Sequence, residues 1–423
     1  VTARPDGAHH HHAGPVRNAE TSADARPHAD AEGTSGTEGT SGTEGTSGTE
    51  GMSGTEGTSG TEGTSGTEGM SGADVRVGSG AVVRAGATAG PKAASVSEGT
   101  SGRAPSGPPI GGALLVVGDV VTDVVARHRG TPASGTDTVA VIRTLPGGAG
   151  ANVACWAAHW GCADVRLLGR VGAESVTWHE TALTAGGVRP LLVVDPQAPT
   201  GTVICLVDTD AAAERTFLTD SGASLRLAPA DWSEALLDGV GRLHLSGYLL
   251  FSESGRALVR TASAAARARG IPVSLDPASA GFLVELGLPR FLSLVQDVDV
   301  LLPSRDEARL LTGVPDGADA AAELSRHVPL VVAKQGADGA LVARGGTVLA
   351  RVPAAPAAPR DTTGAGDAFT GAFLAALLTG VDAAVAAVEG CRAGARAVER
   401  VGARPPTPEE DKATTTDRPV RAG

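Results

Sequence analysis

Aromatic residues are scarce in this chain of 423 residues: six Phe, four Trp and one Tyr, none of them before Trp156. A segment without large apolar side chains buries too little surface to offset the entropy lost on ordering it, so residues 1–110 are expected to stay disordered. They hold 23 of the 59 glycines, and the hexapeptide Glu-Gly-Thr-Ser-Gly-Thr, starting at Glu32, occurs seven times with Met or Ala variants up to Ala73. That is the composition of a solvated spacer. The run His9–His12 lies in the same leader and is read as a chance feature, not a metal site. One large domain over 111–404 is expected, with a flexible tail at 405–423.

Lysine is almost missing too. Lys92, Lys334 and Lys412 are the only three, and none follows a glycine, which excludes a Walker A phosphate loop. No Gly-x-Gly-x-x-Gly follows a predicted strand, which removes the simple dinucleotide-binding reading. The four cysteines (Cys155, Cys162, Cys205 and Cys391) have no Cys-x-x-Cys spacing, so reduced thiols are expected rather than disulfides or zinc ligands. Cationic excess is lacking: the net charge is −12, and residues 1–110 contribute seven Lys/Arg against thirteen Asp/Glu. That balance argues against nucleic acid and against a polybasic membrane anchor. No apolar run approaches the ~18 residues of a membrane span, and no signal-peptide pattern opens the sequence. A cytoplasmic protein is expected.

From Ala113 onward, short β-branched runs alternate with Ala/Leu/Arg-rich stretches of helical length. Strands are predicted at Ala113–Val117, Val165–Leu168, Leu243–Leu245, Val273–Leu275, Val298–Leu302 and Leu330–Ala333. Helices are predicted near 149–160, 175–185, 229–238, 255–269, 304–312 and 317–326. Such alternation implies a mainly parallel sheet covered on both faces, a three-layer α/β/α sandwich. Val139–Thr144, Thr202–Asp208 and Arg215–Leu218 lack intervening helices and are expected to form a small antiparallel β lid.

Chemistry concentrates in Asp361-Thr362-Thr363-Gly364-Ala365-Gly366-Asp367-Ala368-Phe369, where Phe369, Phe373 and Leu377 mark one face of a helix starting near Gly366. The backbone N–H groups of Gly364, Ala365 and Gly366 then open a helix N-terminus, where an anion is stabilised. Asp367 beside them is placed to accept a proton from a hydroxyl during phosphoryl transfer.

This string resembles the C-terminal signature of the PfkB/ribokinase family of carbohydrate kinases. Pro146-Gly147-Gly148-Ala149-Gly150-Ala151-Asn152 is similar to that family's Gly-Gly-x-x-x-Asn element, and Gly118 to Asp123 has its Gly-to-Asp spacing. The resemblance spans 112–404 and implies a ribokinase-like fold with ATP-dependent phosphorylation of a primary hydroxyl on a small sugar-like substrate. It assigns Asp123, Gly147, Gly148 and Asn152 to the sugar, and Ser304, Lys334, Gly336 and Gly339 to the nucleotide. Glu307 would hold Mg²⁺ through water, and Asp361 and Thr363 correspond to ligands of a monovalent cation, K⁺, in some members. It also allows a homodimer.

The sequence departs from ribokinases proper at Val121 and Ala149, where they carry Asn and Lys, and Ser304 replaces the Asn of Asn-x-x-Glu. Cys391 stands where similar sequences often place a residue near the adenine. A sugar phosphate would need a cationic clamp, for which Arg143, Arg170 and Arg215 are the candidates. A nucleoside or sugar-phosphate acceptor, and a non-catalytic sugar- or nucleotide-sensing protein, are the alternative readings.

Overall fold

The computed structural model describes residues 111–407 except 133, 211–213 and 278, together with the backbone of two short strands at 74–77 and 81–84. Most of the predicted leader, with its repeats and histidine run, and the tail from 408 lie outside the described residues. Along the chain the strands are β1 (Asp74–Val77), β2 (Ala81–Arg84), β3 (Ala113–Val117), β4 (Val121–His128), β5 (Ala140–Gly147), β6 (Val165–Gly172), β7 (Val188–Asp195), β8 (Thr200–Asp208) and β9 (Glu214–Gly222). They continue as β10 (Val240–Ser246), β11 (Val273–Asp276), β12 (Val300–Leu301), β13 (Leu330–Lys334), β14 (Ala340–Arg344) and β15 (Thr347–Val352). The helices are α1 (Ala149–His159), α2 (Val176–Ala185), α3 (Glu253–Ala268), α4 (Ala280–Leu286), α5 (Leu288–Leu294), α6 (Arg305–Thr312), α7 (Gly317–Leu324), α8 (Ala365–Leu378) and α9 (Ala383–Val398).

The main sheet runs β2-β1-β15-β14-β13-β12-β11-β10-β3-β6-β7, and its seven strands from β13 to β7 are parallel neighbours. Alternation along β3 shows why it is a three-layer sandwich. Leu115 and Val117 join the core formed with Leu258, Val259 and Ala262 of α3, while Leu114 and Val116 face Val153 of α1 and Phe373 of α8. Side chains on successive strand residues point to opposite faces, so a strand buried on both sides must be apolar throughout. All five residues of β3 are buried.

Three expectations are corrected. Residues 229–238 form two 3₁₀ turns, Pro229–Asp231 and Glu234–Leu237, not one helix. The Asp231 carboxylate accepts from Ala228 N and from Arg170, which closes the first turn before an α-helix propagates. The lid has four strands in the order β5-β4-β8-β9 and is mixed: β4, which is not among the predicted strands, pairs parallel with β8. The leader is not wholly without structure, since β1 and β2 form a hairpin whose β1 pairs antiparallel with β15. An open sheet edge offers unpaired N–H and C=O groups to any extended segment, which the leader's composition does not reveal. Among the described residues no helix is long and apolar enough to cross a membrane, and all four cysteines are free.

Candidate active site

Five adjacent parallel strands, β13-β12-β11-β10-β3, deliver polar residues at or just beyond their carboxyl ends: Lys334, Ser304, Asp276, Ser246 and Asp119. Open α/β sheets bind ligands at this edge. A cavity of about 820 Å³ lies there, lined by all five of these residues, by Val203, Phe217, Thr219 and Ser221 of the lid and by the start of α8.

Helix α8 closes one end of the cavity with its N-terminus. Gly364 is its N-cap, left-handed at φ 73°, and a Cβ there would lie 2.6 Å from Ala403. Only glycine takes this turn without strain. Gly364, Gly366 and Asp367 line the cavity; Ala365 does not, and its N–H donates to the Thr362 carbonyl at 3.3 Å. One turn beyond Asp367, Gly371 lets α1 approach closely, because a Cβ there would meet Val153 O at 2.6 Å and Ala157 N at 2.8 Å. This crossing brings Asn152 of α1 against Asp367, with Asn152 Nδ2 donating to Asp367 Oδ2 at 2.8 Å.

The Asp367 carboxyl is pushed up to about 7 by burial, reinforced by Asp276 and opposed by the Asn152 hydrogen bond and Lys334. A carboxylate with that affinity for a proton is a competent base at neutral pH. Asn152 itself is held by Arg404, whose Nε donates to Asn152 Oδ1 at 3.4 Å and whose Nη2 donates to the Gly147 carbonyl at 3.0 Å. The C-terminal segment bearing Arg404 is pinned by Trp156 Nε1 donating to Ala403 O at 2.8 Å.

The opposite end is acidic. Asp123, on β4 of the lid, lines the cavity and is pushed up to about 7 by burial, against the pull of Arg404 and with the help of Asp119. Gly147 packs its α-carbon against that carboxylate and does not line the cavity, whereas Gly148 does. Asp119 ties the start of α1 in place: Oδ2 accepts from Ala149 N at 2.6 Å, and Oδ1 accepts from Gly150 N and from Ser246 Oγ at 2.7 Å.

At the third corner, Lys334 Nζ pairs with Asp276 Oδ2 at 2.5 Å, and Thr370 Oγ1 of α8 donates to the same oxygen at 2.9 Å. Burial works against the ammonium, but Asp276 and Glu307 outweigh it and leave Lys334 above its ordinary pKa. Ser304 and Glu307 form a capping box on α6, with Ser304 N donating to Glu307 Oε2 at 2.8 Å. Burial raises the Glu307 pKa, with Lys334 opposing. Among the described residues no group of three or more His, Cys, Asp or Glu is arranged to cage a metal. Glu307 lines the cleft and suits Mg²⁺, which keeps several waters and binds through one or two carboxylates and phosphates. Gly336 lines the cavity, but Gly339 lies in the turn against Val352 O, away from it.

Asp361, expected beside a monovalent cation, is already neutralised. Its Oδ1 accepts from Thr363 N at 2.9 Å and pairs with Arg215 Nη2 at 2.7 Å, and its Oδ2 accepts from Gly402 N at 3.1 Å. The donor set therefore does not fit K⁺: the guanidinium stands where the cation would be drawn. Nor does a cationic clamp for a sugar phosphate form. Arg170 is bound to Asp195 and Asp231, Arg143 lines a separate cavity at the far edge of the lid, and Arg215 is committed to Asp361. Cys391 is buried in the core between α8 and α9. Sequence reading missed Asp119, Asp276, Thr370 and Arg404; a carboxylate directly after a predicted parallel strand was the available signal for the first two.

An anion-stabilising helix start with a base beside it, at the carboxyl edge of a parallel sheet under a β lid, defines a phosphotransferase acting on an alcohol group. Residues 113–410 match the family model described as pfkB family carbohydrate kinase, and the chain belongs to that family. It is 32% identical over 298 residues to a 1-phosphofructokinase of Rhodobacter capsulatus, covering 68% of this chain and 90% of the relative. It is also 32% identical to a fructokinase of Klebsiella pneumoniae over 280 residues, covering 63% and 84%. The fold is similar to a solved ribokinase from Thermotoga maritima, with TM-score 0.59, 25% identity, and 72% and 100% coverage. A putative ribokinase II from E. coli, solved with ATP and Mg²⁺, has TM-score 0.62 at 24% identity, with 73% and 100% coverage.

Proposed function

We propose that this carbohydrate kinase transfers the γ-phosphoryl group of ATP to a primary hydroxyl of a small neutral sugar. The observation that carries the reading is the contact of Asn152 and Asp367 at the start of α8, with the Asp367 pKa near neutrality. Asp367 takes the hydroxyl proton, and the N–H groups at the helix start, Gly364 and Gly366 foremost, hold the transferred oxygens. Gly148, Asn152 and Asp123 face the sugar. Asn152 also fixes the base, because one of its amide hydrogens is spent on Asp367. Lys334 and Gly336 lie toward the nucleotide, and Glu307, steadied by Ser304, would hold Mg²⁺ through water; the metal supplies charge neutralisation of the phosphates when bound. The lid excludes water that would otherwise hydrolyse ATP.

A neutral acceptor is favoured because Lys334 is the only Lys or Arg among the lining residues, while the acceptor end presents Asp119 and Asp123. A panel of fructose, ribose, 2-keto-3-deoxygluconate, adenosine and a fructose phosphate, assayed by ADP release, tests this. The expected result is a kcat/KM for a neutral sugar at least tenfold above the phosphorylated one. Preference for the fructose phosphate would overturn the neutral assignment, and binding without ADP release for any acceptor would favour a sensor.

We further propose that 111–404 is the kinase domain, with residues 1–73 a spacer preceding the β1–β2 hairpin and 405–423 a tail, in a cytoplasmic enzyme with reduced cysteines. Removing residues 1–73 is expected to leave turnover unchanged. The outer lid face, with Ile142, Ile204 and Leu218 exposed at 63%, 37% and 54%, supports a homodimer paired through its lids. Sedimentation as a monomer would remove that element.

A further inference from the structure

The contact between the lid and the loop before α8 has its own consequence for catalysis. Strand residues two apart share a face, so Arg215 continues the face of β9 that turns Phe217, Thr219 and Ser221 into the cavity. Just past the cavity, Arg215 reaches the loop 361–363. Its Nη2 pairs with Asp361 Oδ1 at 2.7 Å, and its Nη1 donates to Thr362 Oγ1 at 2.5 Å, joining residues 147 apart in sequence. Both side chains of the ion pair are largely buried, 14% and 8% exposed. The same carboxylate accepts from Thr363 N and from Gly402 N, so each of its oxygens is taken.

Asp361 is therefore matched by a cation carried on the protein itself. A second cation at the same carboxylate would be repelled by the guanidinium. The loop that Arg215 grips runs directly into Gly364 and Gly366, which line the cavity at the start of α8. Its placement sets where their N–H groups point. We propose that Arg215 is a positioning residue that takes the part of a monovalent cation: it fixes the anion-hole loop, makes phosphoryl transfer independent of K⁺, and ties that loop to the lid over the substrate. The proposal rests on the kinase reading of the same site.

The full chain is assayed with ATP, Mg²⁺ and its best acceptor in the chloride salts of K⁺, Na⁺ and tetramethylammonium at one ionic strength. Wild-type turnover is expected to agree within about twofold across the three. Arg215→Ala is expected to lose about 10²-fold in kcat, the scale of a small misplacement of reacting groups, with acceptor KM little changed. K⁺, but not tetramethylammonium, should restore several-fold of that loss, because the vacated carboxylate now attracts it. Arg215→Gln, which keeps N–H donors without charge, serves in place of the alanine variant if that fails to fold.

Melting temperatures without substrate give an independent readout. K⁺ should leave the wild type unchanged relative to tetramethylammonium and raise the variant. Tenfold K⁺ activation of the wild type, wild-type turnover in the variant, or a slow variant indifferent to K⁺ in both assays would each overturn the proposal. Absence of ADP release from any acceptor would instead defeat the kinase reading, and the melting comparison would still decide the role of Arg215.

Discussion

Asp367→Asn is expected to lower kcat by roughly 10²–10⁴-fold, the range for losing a general base, while the KM values for sugar and ATP stay within a few-fold. The amide keeps the shape of the carboxyl and can still accept from Asn152, so binding survives when proton transfer does not. Because the base acts ionised and its pKa lies near 7, wild-type kcat/KM should fall about tenfold per pH unit below neutrality and level off above it. The variant should lose that limb.

The same shift has a cost in stability. The native state binds the Asp367 proton more tightly than the unfolded chain, whose carboxyl titrates near 3.8. Stability therefore falls as pH rises from about 4 through 7. Asp123, also pushed up to about 7, adds the same trend in both proteins, so the informative quantity is the difference between them. Asp367→Asn should melt higher than the wild type at pH 8, and the gap should narrow by pH 5. A gap that widens toward acid would contradict the assigned shift.

Lys334→Met is the second large effect, and it acts first on folding. The substitution takes the cation from the largely buried carboxylates of Asp276 and Glu307, and breaking a buried pair in this way costs about 3–5 kcal/mol. A melting temperature lower by several degrees is expected, together with weaker ATP binding and slower turnover, because the ammonium sits 3.6 Å from where a Cβ on Gly366 would lie. Lys334→Met with Asp276→Asn removes one of the stranded charges and should recover part of the stability but none of the turnover. Recovery of both together would make Lys334 purely structural.

The sequence made some of this site legible and hid the rest for identifiable reasons. The start of α8 was readable because its glycines, base and helical face lie within a dozen consecutive residues, and the structure begins the helix at Ala365. The parallel core was readable because strands buried on both faces, such as β3, are continuous apolar runs. The lid was only half readable. β4 has the mixed burial of a strand with one face over the cavity, and its parallel pairing with β8 is a long-range choice that no local pattern encodes. Arg404 and Asn152 lie 252 residues apart, and Arg215 and Thr362 lie 147 apart. With 32 arginines in the chain, nothing local marks those two. Lys334 stood out among three lysines, but only resemblance assigned it to the nucleotide. Its partner Asp276 is a lone carboxylate after a four-residue strand.

The most direct test of the account is a crystal structure of the enzyme with its acceptor sugar, ADP, Mg²⁺ and an aluminium fluoride standing in for the phosphoryl group in flight. The account predicts the fluoride within hydrogen-bonding distance of the N–H groups at Gly364 to Gly366, and an Asp367 oxygen within about 3 Å of the acceptor hydroxyl. A fluoride bound elsewhere, or an Asp367 still turned to Asn152 with no hydroxyl in reach, would contradict it.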